Sequence, residues 1–189
     1  MIVIYKNGGL IFVEKMKATT ILIVKKGNEV AIAGDGQVTL GDTIVKSKAR
    51  KIRKIKDFDV VLGFAGIAAD AFVLEEKFEQ YLNEYRGNLK KASVELAKDI
   101  RNDKFQKDFE ASIVVGGKDG LYSISGNGDI LEPEEDLLAI GSGGNYAYSA
   151  GLALLKHTDM TASEIAKEAL TIASSICIYT SSNIIVEKI

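Results

Sequence analysis

The sequence is nearly without histidine and cysteine, two residues on which hydrolytic and metal chemistry often rests. It has one histidine, His157, in 189 residues, so the usual histidine-based metal sites are excluded and a Ser-His-Asp triad is hard to build. His157 falls in Leu154-Leu155-Lys156-His157-Thr158, where a helix is expected to end. It reads as a C-terminal helix residue near exposed carbonyls, not as a catalyst. The single cysteine, Cys177, cannot close an internal disulfide, and the composition suits a reducing, cytoplasmic setting. No apolar stretch is long enough to span a bilayer, and the basic start of a secretory signal is missing. A net charge of -2 gives no general reason to expect nucleic acid or an anionic membrane as partner. There is no G-x-x-x-x-G-K-[ST], so ATP hydrolysis is not expected of this chain. Any hydrolytic chemistry must find another base.

What is present is a globular composition, 47% apolar and 26% charged, of a length that fits one domain with a proper core. The basic run Lys46-Ser47-Lys48-Ala49-Arg50-Lys51-Ile52-Arg53-Lys54 reads mostly as a solvated loop or strand edge. Residues 1–18 stand apart. Met1 to Tyr5 is broken by Lys6-Asn7-Gly8-Gly9, and Leu10 to Val13 ends at Glu14-Lys15. Three readings are open: a propeptide removed before Thr19, an over-long gene start with the initiator at Met16, or an extra edge strand. The single domain is expected to be 19–189.

From Thr19 the pattern is β. Thr20-Ile21-Leu22-Ile23-Val24, the turn Lys26-Gly27-Asn28 and Glu29-Val30-Ala31-Ile32-Ala33 read as a hairpin. Short strands follow around 43–45, 51–55 and 60–64. Gly66 marks a switch to helical spacing, with Ala71, Leu74, Phe78, Leu82 and Tyr85 on one face and Gly87 as the stop. Leu89, Ala92, Leu96 and Ile100 mark a second helix. A hairpin spans 111–117 and 121–126, and Leu137-Leu138-Ala139-Ile140 reads as a buried strand. A helix is expected over 145–156. Thr161-Ala162-Ser163-Glu164 is a capping box opening the last helix, with Ile165, Ala169, Ile172, Ala173 and Ile176 inside. Strands at Cys177-Ile178-Tyr179 and 183–186 close the chain. The order of strands, two helices, strands, two helices and strands fits two sheets between helix layers, an α+β class.

The candidate chemistry starts at Ala18-Thr19-Thr20. A threonine hydroxyl is a poor nucleophile without a base in reach. A cut after Ala18 would give Thr19 a free α-amine with a reference pKa near 8, so nucleophile and base would share one residue. Alone, a Thr-Thr pair at a strand start is equally a β-forming pair. Ile140-Gly141-Ser142-Gly143-Gly144 superficially matches a dinucleotide loop. It fails the context test, because another helix follows instead of the second strand of a βαβ unit; its glycines can instead bring Ser142 close to another segment. Asp35 in its glycine turn and Lys51 in the basic run would, if buried near Thr19, tune its hydroxyl and amine. Gly63 has an N–H that could serve a developing oxyanion. Each of these also has a purely structural reading.

Several segments in order decide among these readings. Thr19-Thr20-Ile21, Ala33-Gly34-Asp35-Gly36-Gln37-Val38-Thr39-Leu40-Gly41 and Ala49-Arg50-Lys51-Ile52-Arg53 come first, then Gly63-Phe64-Ala65-Gly66 with Ala69-Asp70-Ala71-Phe72. Later come Gly126-Asn127-Gly128-Asp129, Ala139 to Ala147 and Ile176-Cys177-Ile178-Tyr179-Thr180. Together they resemble the HslV family of bacterial proteasome-related peptidases across essentially all of 19–180. The resemblance implies a four-layer αββα sandwich of the N-terminal-nucleophile hydrolase type. It implies a threonine endopeptidase in a homo-dodecamer of two stacked hexameric rings, fed unfolded polypeptide and activated by an HslU-type AAA+ ATPase. By position it implies Thr19 as nucleophile and base, with Asp35 and Lys51 setting the electrostatics. Ser142 would support the threonine amine and Gly63 would donate to the oxyanion. It also implies a monovalent cation, sodium, held by main-chain carbonyls of Ser174, Cys177 and Thr180. Three departures stand out: the stretch before Thr19, Ser174-Ser175 where Gly-Asp is common, and a short divergent end after Thr180. Two other functions stay open here, an N-terminal-nucleophile enzyme acting on small amides and a non-catalytic ring subunit.

Overall fold

The computed structural model describes residues 2–6, 9–13, 16–17, 19–40, 42–102 and 110–189. Met1, Asn7, Gly8, Glu14, Lys15, Ala18, Gly41 and residues 103–109 lie outside them. In chain order the strands are β1 (Ile2–Lys6), β2 (Gly9–Val13), β3 (Met16–Lys17), β4 (Thr20–Lys26), β5 (Glu29–Asp35), β6 (Val38–Leu40), β7 (Thr43–Lys46), β8 (Ile52–Ile55) and β9 (Val60–Gly66). Helices α1 (Ala68–Glu84) and α2 (Leu89–Asn102) follow, then β10 (Ala111–Gly117), β11 (Gly120–Ser125), β12 (Ile130–Leu131) and β13 (Leu137–Gly141). Helices α3 (Gly144–His157) and α4 (Ala162–Ile176) and strand β14 (Ile184–Lys188) complete the chain.

Strand β4 shows why the sequence builds layers. Its apolar run does not alternate with polar residues, because both of its faces are covered. Ile21 and Ile23 join a cluster with Val30, Ile32, Ile52, Val61 and Val114 that lies between two sheets. Leu22 and Val24 point the other way, onto Ile165, Ala169, Leu170 and Ala173 of α4. One sheet has the order β13-β4-β5-β14 and carries α3 and α4 on its outer face. The other has the order β12-β11-β10-β9-β8, and its Val60, Leu62 and Phe64 pack under Leu74, Phe78 and Leu82 of α1 and Leu96 of α2. The result is the four-layer αββα sandwich. Gly63 lets the sheets close: a Cβ there would lie 2.8 Å from Ile32 Cδ1 and 2.9 Å from Ile21 Cγ2, inside contact distance.

Outside the sandwich, β6 and β7 form a hairpin whose β7 residues are exposed. The described segments before Thr19 are also strands. β1 and β2 pair antiparallel as a separate hairpin, and β3 adds to the edge of β6 with Met16 opposite Leu40 and Lys17 opposite Thr39. Among the described residues, no helix is long and apolar enough to cross a membrane.

Two expectations are corrected. Cys177-Ile178-Tyr179 is not a strand but a turn, closed by Thr180 N–H donating to the Cys177 carbonyl at 3.0 Å. The turn buries Cys177 and Thr180 while leaving Ile178 exposed. Ile176, expected inside, is likewise exposed, because it ends α4 beyond the last turn that packs on the sheet. Glu75, on the buried side of α1, went unnoticed among the apolar positions.

The capping box is formed as expected. The Thr161 hydroxyl accepts from Glu164 N–H, and the Glu164 carboxylate accepts from Thr161 N–H at 2.8 Å. That contact holds the Glu164 carboxyl below its ordinary range. Thr161→Ala should therefore lower stability by about 1 kcal/mol, read as a lower urea midpoint with an unchanged slope.

Candidate active site

Thr19 immediately precedes β4 and is buried. Its carbonyl accepts from Ser142 N–H at 2.8 Å, which ties the strand start to the loop between β13 and α3. That approach requires Gly141. At φ +90° it sits in a region that favours glycine, and a Cβ would run into the Thr19 carbonyl oxygen. Gly143 comes equally close to Thr20 and Thr180, and its N–H donates to Thr20 Oγ1 at 2.9 Å. The Thr20 and Thr180 hydroxyls share a hydrogen bond of 2.6 Å. The glycine loop is thus a device for close backbone approach, as its composition allows.

Asp35 ends β5 as a fully buried carboxylate. Oδ1 accepts from Thr20 N–H at 2.8 Å and from Lys51 Nζ at 3.2 Å; Oδ2 accepts from Gln37 N–H at 2.9 Å and Ser181 N–H at 3.2 Å. Four donors satisfy both oxygens, which keeps a buried charge tolerable. Lys51 lies just before β8 and is only 5% exposed, unlike the other lysines and arginines of the basic run. It also donates to the Gln37 carbonyl. Burial pushes the Lys51 ammonium below the usual lysine range, and Asp35 opposes that drop by charge and hydrogen bonding.

Thr19 and Lys51 line the same cavity of about 280 Å³, whose walls include Val38, Phe64, Ala68 and Phe72. The cavity can seat one apolar side chain beside the threonine. Ser142 reaches Thr19 through its backbone; its side chain is exposed and makes no hydrogen bond among the described residues. Gly63 lies opposite Val114 on one side and Ile52 on the other. Phe64 N–H donates to the Lys51 carbonyl, and successive strand amides point to opposite edges, so Gly63 N–H faces β10 and is committed to that ladder. The oxyanion role expected of Gly63 is corrected accordingly: the position serves sheet packing.

Ser174 lies in the last turn of α4, Cys177 caps it and Thr180 ends the following turn. Carbonyls at a helix C-terminus carry partial negative charge and lack helical partners, so oxygen donors of the right kind are grouped here. Among the described residues there is no cluster of three or more His, Cys, Asp or Glu side chains. Thr20 and Gln37 were given no role from sequence, the Thr180 hydroxyl was not foreseen beside its expected carbonyl role, and Gly141 and Gly143 were expected only to bring Ser142 close to another segment. The one available signal was the two consecutive threonines with glycines elsewhere, which does not say what they touch.

The family model for proteasome subunits matches residues 15–189. The chain is 53% identical over 176 residues to the ATP-dependent protease subunit HslV of Treponema denticola, covering 93% of this chain and 99% of that one. It is 53% identical over 175 residues to the protein of the same name from Aquifex aeolicus, with the same coverage. Its structure matches eukaryotic HslV from Trypanosoma brucei with a TM-score of 0.83 and 43% identity, over 89% of this chain and 98% of that one. Thiobacillus denitrificans BPH, at 16% identity and a TM-score of 0.67 over 90% and 97% of the two chains, shares the fold.

Removing the charge of Asp35 while keeping its shape leaves Lys51 buried without its counter-charge. Asp35→Asn should cost about 3 kcal/mol of stability, measured by chemical denaturation. The double variant Asp35→Asn/Lys51→Met should recover part of that loss, because no buried charge is then left unpaired.

Proposed function

The chain belongs to the proteasome-subunit family, and from that premise we propose that Thr19, freed of residues 1–18, is the nucleophile of a threonine peptidase. As an HslV-like member, the chain is a core subunit of an ATP-dependent protease. The observation that carries the assignment of Thr19 is the placing of Thr19 and the buried, Asp35-paired Lys51 on the wall of one cavity.

Once the peptide bond before Thr19 is cut, its nitrogen becomes an amine beside its own hydroxyl. That amine takes the proton from Oγ as the oxygen attacks the scissile carbonyl. It returns the proton to the departing amine of the substrate, leaving an ester on Oγ. Water, losing a proton to the same amine, cleaves the ester and releases the acid. The nearby Lys51 charge disfavours a second positive charge and keeps the amine able to accept a proton. Asp35 holds that lysine in place. Ser142 supports this amine through the loop that grips the Thr19 carbonyl.

A chain without a nucleotide-binding motif depends on a separate ATPase to deliver unfolded polypeptide, and an HslU-type AAA+ protein is the proposed partner. Two stacked six-membered rings are the proposed assembly. Ile44, Val45, Leu131, Ile176 and Ile178 are exposed large apolar side chains that contacts with other copies would cover. A cytoplasmic location is proposed with it. The carbonyls of Ser174, Cys177 and Thr180 fit a sodium ion in donor type, and its charge would pin the turn that carries Thr180 to Thr20.

Native mass spectrometry of the purified protein should give twelve copies of a chain starting at Thr19; chains that still carry residues before Thr19 would defeat the mechanism. Thr19→Ala should assemble but lose peptide hydrolysis, read with a fluorogenic peptide. Exchanging sodium for tetramethylammonium should lower the melting temperature and peptidase rate together, and unchanged values would remove the cation.

A further inference from the structure

The outer wall of the cavity beside Thr19 is Phe72, on the first turns of α1. Its position is unusual for an aromatic ring: it is half exposed, yet it lines the same cavity as the buried Thr19, Lys51 and Phe64. On one side it meets Phe64, with ring centroids 5.9 Å apart and planes tilted by 59°. On the other, the Arg53 guanidinium lies 5.9 Å from its centroid. Arg53 projects from β8 and is itself half exposed, so nothing in its burial would hold it there. Its charge is paired with Glu75, one turn further along α1, whose Oε1 lies 2.8 Å from Arg53 Nε as an ion pair.

Glu75 is the odd member of this group. Its side chain is 7% exposed, and Oε2 is buried with no hydrogen-bond partner. A carboxylate in that position is expensive, and stability alone does not account for it. Burial holds its carboxyl above the ordinary range, against the pull of Arg53. None of these three residues belongs to the Thr19, Asp35 and Lys51 cluster.

We infer that Glu75 and Arg53 are a positioning pair that fixes Phe72 as the wall of the side-chain pocket, and so sets which substrate residue is accepted on the acyl side of the scissile bond. The inference rests on the reading of Thr19 as nucleophile. Arg53 places its guanidinium over the ring while its Nε faces Glu75, a pair of contacts that a lysine reproduces only in charge. Held this way, Phe72 and Phe64 favour a large apolar side chain. Released, Phe72 turns to solvent and the pocket loses the surface that distinguishes large from small residues.

The test uses the processed, assembled protein and two fluorogenic peptides that differ only in the residue before the cleaved bond, leucine in one and alanine in the other. Arg53→Ala should lower the leucine-to-alanine ratio of kcat/KM by about fivefold, through KM for the leucine peptide. Arg53→Lys should recover less than half of that change on a logarithmic scale. Because Arg53→Ala strands a buried carboxylate, the double variant Arg53→Met/Glu75→Met removes both charges together and should show the same loss of ratio. An unchanged ratio in the double variant, or equal loss on both peptides in every variant, overturns the inference. Labelling by a threonine-directed covalent inhibitor separates the two levels: a labelled Thr19 with an unmoved ratio sinks only the positioning pair. An unlabelled Thr19 in the unmodified protein sinks the nucleophile assignment and this inference with it.

Discussion

One buried carboxylate organises this site. Asp35 receives N–H groups from Thr20, Gln37 and Ser181 and the ammonium of Lys51, so four segments far apart in sequence converge on two oxygens. Asp35 closes a strand of one sheet, whereas Lys51 leads into a strand of the other. The ion pair therefore spans the seam between the sheets, where water is excluded and charge interactions are least screened. Its contribution to net stability is modest at best, because both groups had to be desolvated. Its contribution to geometry is larger, since leaving either partner alone is strongly unfavourable.

The sandwich makes that seam narrow. Residues without a side chain stand where the sheets press together, as Gly63 does against Ile21 and Ile32. The same device recurs at the site, where Gly141 brings a backbone loop onto Thr19 and Gly143 brings it onto Thr20 and Thr180. The nucleophile candidate is thus held by its carbonyl from one side while the strand that follows it is fixed by Asp35. Such an arrangement positions a hydroxyl without any side chain having to grip it. Around this rigid centre the cavity wall is differently made. Phe64 is part of the core, but Phe72 stands in partial contact with solvent and depends on a charged neighbour for its orientation.

Much of the fold was legible because local pattern and packing agree. The apolar runs of β4 and β9 announced strands, and the spacing of Ala71, Leu74, Phe78 and Leu82 announced the buried face of α1. The capping box at Thr161 marked the start of α4 to the residue. The Cys177 to Tyr179 segment misled because three apolar residues look alike whether they pair in a sheet or turn a corner. Only the need to bring Thr180 under Thr20 selects the turn. Gly63 misled for a related reason: a glycine near a strand end suggests a free amide, and the register decides that this amide is already used.

The layers and the order of strands and helices could be read along the chain, and the resemblance to a family pointed to Thr19, Asp35, Lys51 and Ser142 as candidates. These follow from periodicity and from side-chain type, which are properties of neighbours along the chain. It took the folded chain to show that Lys51 is buried while the other lysines and arginines of its basic run are at least partly exposed, that Ser142 meets the Thr19 carbonyl through its N–H, and that Glu75 is linked to Phe72 by way of Arg53. Burial, hydrogen-bond direction and the facing of one side chain on another arise where distant segments meet. Spacing along the chain does not encode that meeting.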